Sequence, residues 1–326
     1  EATIAEHQEA QAAEKTVQDL FDTWIDKGVA RKDGNAELRR VMEKDVLPVI
    51  GTKFLRDVTD GMLVDLLRGI VARGANRLAA MVLQMIKQMF AWGEKRQPWR
   101  RLLIEGNPAE LVDLDTILDE DYDPDNVRER VLPPEEIKEL ASLLRAGQDA
   151  YDAAGDKRTA PQPVEAATQL AIWICASTIC RIGELLCIER PHVNLETNEW
   201  LIPRANSKGR KGQKRDFVVF LSPFSAKLFR ALMDLNPGSR WLFPGADGEA
   251  PVGPSTVTRQ VGDRQTMFKK RKKLKGRRND NTLVLAGGRS GKWTPHDLRR
   301  TGATVMQELG VDPNIIDRCQ NHVVHQ

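Results

Sequence analysis

The chain has 326 residues, 41% hydrophobic and 29% charged, with 49 Lys and Arg against 46 Asp and Glu for a formal net charge of +3. That composition excludes wholesale disorder, and the length suits about two domains. No run approaches the ~18 uninterrupted apolar residues of a membrane span and no basic-then-apolar leader opens the chain, so no membrane is expected and a cytoplasmic protein is.

Residues 1–15 are rich in Ala, Glu and Gln and read as a tether or helical extension. From Thr16 the pattern tightens. Thr16-x-x-Asp19 resembles a capping box, and Val17, Leu20, Phe21, Trp24 and Ile25 recur at helical spacing. Further helices are predicted over residues 36–45, 60–71 and 76–92, the last with Leu78, Val82, Met85, Ile86, Met89 and Phe90 on one side. These four helices make a small all-α domain over residues 16–100.

Residues 102–127 hold nine acids and no lysine or arginine, so residues 101–130 are expected to be an acidic linker. Pro133-Pro134-Glu135-Glu136 then opens a helix and a second domain, residues 131–326. Two consecutive buried helices are predicted over 168–188. Residues 200–203 and 217–221 read as short strands flanking a polar, basic hairpin tip. Helices return at 222–235, 253–268, 296–309 and 312–319. The fold class expected is mainly α with a small β-sheet.

The small net charge hides two basic runs. Residues 204–215 hold six basic residues in twelve (Arg204, Lys208, Arg210, Lys211, Lys214, Arg215), and residues 264–278 hold nine in fifteen, including Lys269, Lys270, Arg271, Lys272 and Lys273; neither has an acid. One such run is as readily a solvated face. Two flanking one set of motifs point to a phosphate backbone, so duplex DNA is the expected partner. The four cysteines, Cys175, Cys180, Cys187 and Cys319, form no Cys-x-x-Cys pair and have no histidine at ligand spacing, so no disulfide, metal or cofactor is expected.

Three segments belong together: Thr178-Ile-Cys-Arg181-Ile-Gly-Glu184-Leu185; Trp293-Thr-Pro-His296-Asp-Leu-Arg299-Arg300; and Asn321-His322. Each alone has a plain structural reading. In this order, with a basic hairpin between the first two, they closely resemble the tyrosine recombinase (phage integrase) family. Its pattern is an arginine in an Arg-x-Gly-Glu-Leu setting, a hairpin lysine, a His-x-x-Arg pair, a His or Trp, and then a tyrosine. Residues 16–96 also resemble that family's helical core-binding domain.

The resemblance implies an N-terminal core-binding domain, a mixed α/β catalytic domain, and catalysis by Arg181, Lys208, His296, Arg299 and His322, with Lys211 as the alternative lysine. Attack of a hydroxyl on a phosphodiester gathers negative charge on the non-bridging oxygens, which two guanidinium forks, Arg181 and Arg299, can hold. A lysine can protonate the leaving 5′-oxygen. His296 would activate or reprotonate the attacking oxygen, His322 would donate to the phosphate, and Glu184 would orient Arg181. Arg204, Arg210, Lys211, Lys214, Arg215, Lys269 to Lys273 and Arg300 are the expected DNA contacts. No metal is required.

The family's nucleophilic tyrosine follows the last histidine, and the chain holds only Tyr122 and Tyr151, neither at that position. With Glu1 rather than methionine at its start, the chain reads as a fragment whose C-terminal tyrosine segment lies outside it and which an arm-binding domain could precede. The implied function is a site-specific DNA recombinase of a mobile element, working as a homotetramer on DNA, with DNA-bending accessory proteins as further partners. The alternative is a DNA-binding accessory or regulatory protein that uses the fold without cleavage.

Overall fold

In the computed structural model, which describes residues 15–31, 33–123, 129–207, 214–269 and 278–322, Thr16 caps helix α1 (Val17–Lys27) reciprocally. The Asp19 backbone N–H donates to Thr16 Oγ1 at 3.2 Å, and the Thr16 backbone N–H donates to Asp19 Oδ2 at 2.8 Å. The chain divides into two units, residues 1–127 and 128–326.

In the first unit, α1 is followed by α2 (Ala36–Val41), a π turn (Met42–Val46) and α3 (Leu47–Ile50), a break within the helix expected over 36–45. The π turn buries Asp45, whose carboxylate accepts from Arg73 Nη2 at 2.7 Å. Helices α4 (Asp60–Val71) and α5 (Asn76–Gly93) complete the set, with Val82, Ile86, Met89 and Phe90 turned into one core with Leu20, Phe21 and Leu63. The acidic stretch departs from the linker expectation. Its described residues run through short 3₁₀ turns (Trp99–Arg101 and Pro108–Leu111), and Leu102, Leu103, Ala109, Val112 and Ile117 are buried in this same core. Its described acids are exposed while a sparse set of apolar residues between them anchors the segment.

The second unit opens with α6 (Pro134–Ala153), followed by α7 (Ala166–Thr178) and the short α8 (Ile182–Leu186). A three-stranded antiparallel sheet follows, β1 (Val193–Asn194), β2 (Glu199–Ile202) and β3 (Phe217–Phe220), in spatial order β1-β2-β3. Trp200 pairs with Val219 and Ile202 with Phe217. The alternation puts Trp200, Ile202 and Val219 on the core face, where Trp200 packs against Phe229 of α9 (Pro223–Leu235). Strand β1 is too short to carry a sequence signal.

Helices α10 (Thr256–Asp263), α11 (Pro295–Glu308) and α12 (Pro313–Cys319) close the unit around α7 and the buried Trp293. The Trp293 backbone is clamped by the fully buried Gln265 side chain, whose Oε1 accepts from Trp293 N–H at 3.0 Å and whose Nε2 donates to its carbonyl at 2.9 Å. That clamp fixes the segment from which α11 departs.

Candidate functional site

Helix α11 begins with another reciprocal cap. Asp297 Oδ2 accepts from the backbone N–H and hydroxyl of Thr294 at 2.7 and 2.9 Å, while its Oδ1 accepts from Arg300 Nη1 at 2.8 Å. Asp297 is fully buried, so the first turn of α11 is fixed and Arg299 emerges from it in a defined direction.

Two chain segments converge on Arg299, which is 3% exposed. Its Nη1 donates to the carbonyl of Ile179, just past α7, at 2.6 Å; its Nη2 donates to the carbonyl of Gln320, just past α12, at 2.6 Å. Nη2 also lies 3.1 Å from His322 Nε2, and His322 Nδ1 lies 2.8 Å from Asp317 Oδ1. Arg181, the residue before α8, has its Nη1 3.0 Å from Glu184 Oε1, and its backbone N–H donates to Glu184 Oε2 at 3.2 Å. The Glu184 carboxylate is buried while the Arg181 side chain keeps 23% exposure. One guanidinium is thus anchored deep and the other held at the rim.

The electrostatics of this cluster favour an anion. Burial first, and then the charge of Arg181, lower the Arg299 guanidinium to about 10, which still leaves it charged at neutral pH. Glu184 offsets that repulsion only in part, and an anion near both guanidiniums removes more of it. His296, exposed on the first turn of α11, is held below the ordinary imidazole range by partial desolvation and then by the guanidiniums of Arg300 and Arg299, so it is neutral at pH 7. Among the described residues no group of His, Cys, Asp and Glu could hold a metal ion, and no helix is long and apolar enough to cross a membrane.

The structure therefore brings Arg181, Glu184, His296, Arg299 and His322 into one neighbourhood. Lys208, Lys211 and Arg210 lie outside the described residues, as do Lys270, Arg271, Lys272 and Lys273. Of the remaining hairpin cations, Arg204 and Arg215 are exposed and Lys214 is half-buried. The second basic run is not one uniform face. Lys269 pairs with Asp263, Arg278 with Asp280, and Arg264 is buried, donating to the carbonyls of Gln260 and Pro163 at 3.1 and 2.9 Å. These ends of the run are structural. Sequence reasoning does not single out Asp317, which backs His322, or the two backbone carbonyls on Arg299. Asp317, five residues before His322, carries a readable signal; the carbonyls have none.

A two-unit, mainly helical chain whose second unit gathers two arginines and two histidines and carries a small antiparallel sheet matches known proteins along its length. Residues 131–325 match the model of the phage integrase family and residues 12–111 that of the phage integrase central domain. The chain belongs to the phage integrase family. The prophage integrase IntA of Escherichia coli (strain K12) is 20% identical over 300 residues, covering 92% of this chain; the chain spans 60% of that relative's length. Among solved structures, a fragment of the Tn1549 transposon integrase in complex with transposon right end DNA superposes with a TM-score of 0.62 at 17% identity, covering 95% of this chain and 92% of the other. A lambda integrase dimer bound to a COC′ core site gives 0.63 at 13% identity, covering 99% and 78%. A lambda integrase tetramer bound to a Holliday junction gives 0.61 at 14%, covering 98% and 81%.

Proposed function

We propose that this chain is the core-binding and catalytic part of a site-specific DNA recombinase of a mobile element. The observation that supports this most is the nearness of two guanidiniums, with the charge of Arg181 helping to lower that of Arg299 in a way that a shared anion would relieve. A scissile phosphate between them has its non-bridging oxygens held where the transition state gathers charge. The attacking hydroxyl forms the P–O bond as the bond to the 5′-oxygen breaks. The product is a 3′-phosphotyrosine and a free 5′-hydroxyl, and the bond energy is conserved for religation without ATP.

In this reading neutral His296 takes or returns the proton of the attacking oxygen, Glu184 holds Arg181, and His322 binds phosphate after turning from Arg299. Lys208, or in the second place Lys211, protonates the leaving oxygen. Arg204, Arg210, Lys214, Arg215, Lys270 to Lys273 and Arg300 contact the DNA backbone. The nucleophile is a tyrosine other than Tyr122 and Tyr151. Tyr151 lies in α6 and Tyr122 in the first unit, so we assign the role to a tyrosine outside residues 1–326. The working assembly is a homotetramer on DNA, helped by DNA-bending proteins.

The test is the protein of the complete reading frame, incubated with nicked suicide duplexes carrying a site selected by the protein from random sequence. A covalent protein–DNA adduct that maps to a tyrosine after His322 supports cleavage. Tight binding with no adduct makes the chain an accessory DNA-binding protein that uses this fold without cleavage.

A further inference from the structure

Two residues on facing segments of the second unit run against their local preferences and meet. Ile179, which ends α7, has φ 47° and ψ 27°, the left-handed region that β-branched side chains avoid. Gly302 stands in the interior of α11, where glycine is among the poorest helix formers. A Cβ built on Gly302 falls 2.3 Å from Ile179 Cγ2 and 3.0 Å from the Ala176 carbonyl oxygen. The side chain of Ile179, 5% exposed, therefore occupies the notch that the missing Cβ leaves.

The left-handed turn has a consequence for the site. In a continuing α-helix the Ile179 carbonyl would point along the axis of α7 toward a later N–H. At φ 47° the chain reverses, and the carbonyl instead accepts from Arg299 Nη1 at 2.6 Å. The same reversal buries Cys180 and delivers Arg181 to the start of α8. Gly302 lies three residues after Arg299, on the same face of α11. Two local departures from propensity where two segments meet are what a functional constraint produces.

We propose that Ile179 and Gly302 are a positioning pair: the isoleucine seated in the glycine notch sets the approach of α11 to the end of α7, and so the placement of Arg299 relative to Arg181. The inference rests on the recombinase reading of these arginines but needs no other part of it. Neither residue touches the reacting atoms; both act through the guanidiniums.

A coupled pair of substitutions tests it. To admit a Cβ, G302A must push α11 from Ile179 by about 1 Å, a displacement that can lower the rate of a positioned reaction roughly a hundredfold. In the complete reading-frame protein we expect G302A to lower single-turnover cleavage of a suicide duplex by about that factor, with DNA affinity within roughly twofold. I179G/G302A, which removes the colliding side chain and leaves only the 3.0 Å approach to the Ala176 carbonyl oxygen, relieved by a few tenths of an ångström, should recover cleavage to within about threefold of wild type. A second readout needs no cleavage. In the 326-residue chain the Arg299 side-chain N–H signals, slow to exchange while bonded to the Ile179 and Gln320 carbonyls, should exchange rapidly in G302A and return in the double variant. Wild-type cleavage by G302A, or a double variant whose defect is the product of both single effects, overturns the pair. If G302A alone does not fold, the double variant decides: recovery to within threefold supports the pair and failure overturns it. If wild type forms no adduct, the recombinase reading fails, and the N–H exchange still judges the pair.

Discussion

Arg299 donates through Nη2 to Nε2 of His322 across 3.1 Å, so the histidine stands in this site as an acceptor, with its proton on Nδ1 facing Asp317 at 2.8 Å. A guanidinium has no lone pair to offer, which fixes the direction of the bond. The family resemblance implies that His322 donates to a phosphate. In this arrangement that role is closed until the ring leaves Arg299, and an arriving phosphate that draws Arg299 to itself supplies the occasion.

Asp317 selects the tautomer of His322. D317A should lower the cleavage rate about fivefold, the worth of one hydrogen bond near 1 kcal/mol. Because both side chains are about half exposed, the melting temperature should stay within a degree or two of wild type. Single-turnover kinetics with a melting curve check both halves. A large drop in Tm with unchanged cleavage would make the interaction structural.

Arg299 should prove irreplaceable by lysine. R299K keeps the charge but cannot reach the Ile179 and Gln320 carbonyls and a phosphate together from one planar fork. R299A should cost about 2–3 kcal/mol of stability from the loss of buried charge-assisted bonds, and R299K a substantial part of it. Denaturant titration of both variants measures this; full stability in R299K would show that the bonds to the two carbonyls do not matter.

The acid limb of cleavage should lie below pH ~6.5, the ordinary histidine value. His296 is depressed in the folded protein, so it resists protonation more than an unperturbed histidine and stays able to accept a proton at lower pH. The effect on stability has the same sign. Between its folded value and pH ~6.5 the unfolded chain binds the proton that the folded one resists, so this contribution to stability is complete above pH ~6.5 and is lost as pH falls through the folded value. A pH–rate profile of wild type against H296Q checks it; a limb at or above pH 6.5, or one that persists in H296Q, contradicts the assignment.

The two basic runs should differ in salt dependence residue by residue. Neutralising Lys270, Lys272 and Lys273 together should weaken binding to any duplex and flatten the salt slope by about 0.9 for each phosphate no longer neutralised. Lys269, already paired with Asp263, should change the slope little. Titrations across a range of salt concentrations separate the two, and an unchanged slope in the triple variant would remove that run from the DNA interface.

The helices that carry a strong local signal are legible in the sequence. Thr16 and Asp19 announce α1, and the spacing of Val82, Met85, Ile86, Met89 and Phe90 announces α5. The acidic stretch reads as a linker because nine acids dominate its composition, while its anchors, Leu102, Leu103, Val112 and Ile117, follow 3₁₀ turns and irregular backbone with no helical or strand period. Within the site, Arg181, His296 and Arg299 are visible as side chains at recognisable spacing. The carbonyls of Ile179 and Gln320 are not, since every residue has one, and Ile179 adopts a turn that its own propensity argues against. The side chain on that turn packs against Gly302, in a segment more than a hundred residues away.

The most direct test of the central claim, that Arg181 and Arg299 together hold the scissile phosphate, is the rate of covalent capture of a suicide duplex by R181A and by R299A, compared with wild type in the complete reading-frame protein at matched DNA occupancy. Loss of either donor should slow capture by roughly 10²–10³, with DNA still bound. Adduct formation at the wild-type rate in either variant would contradict it.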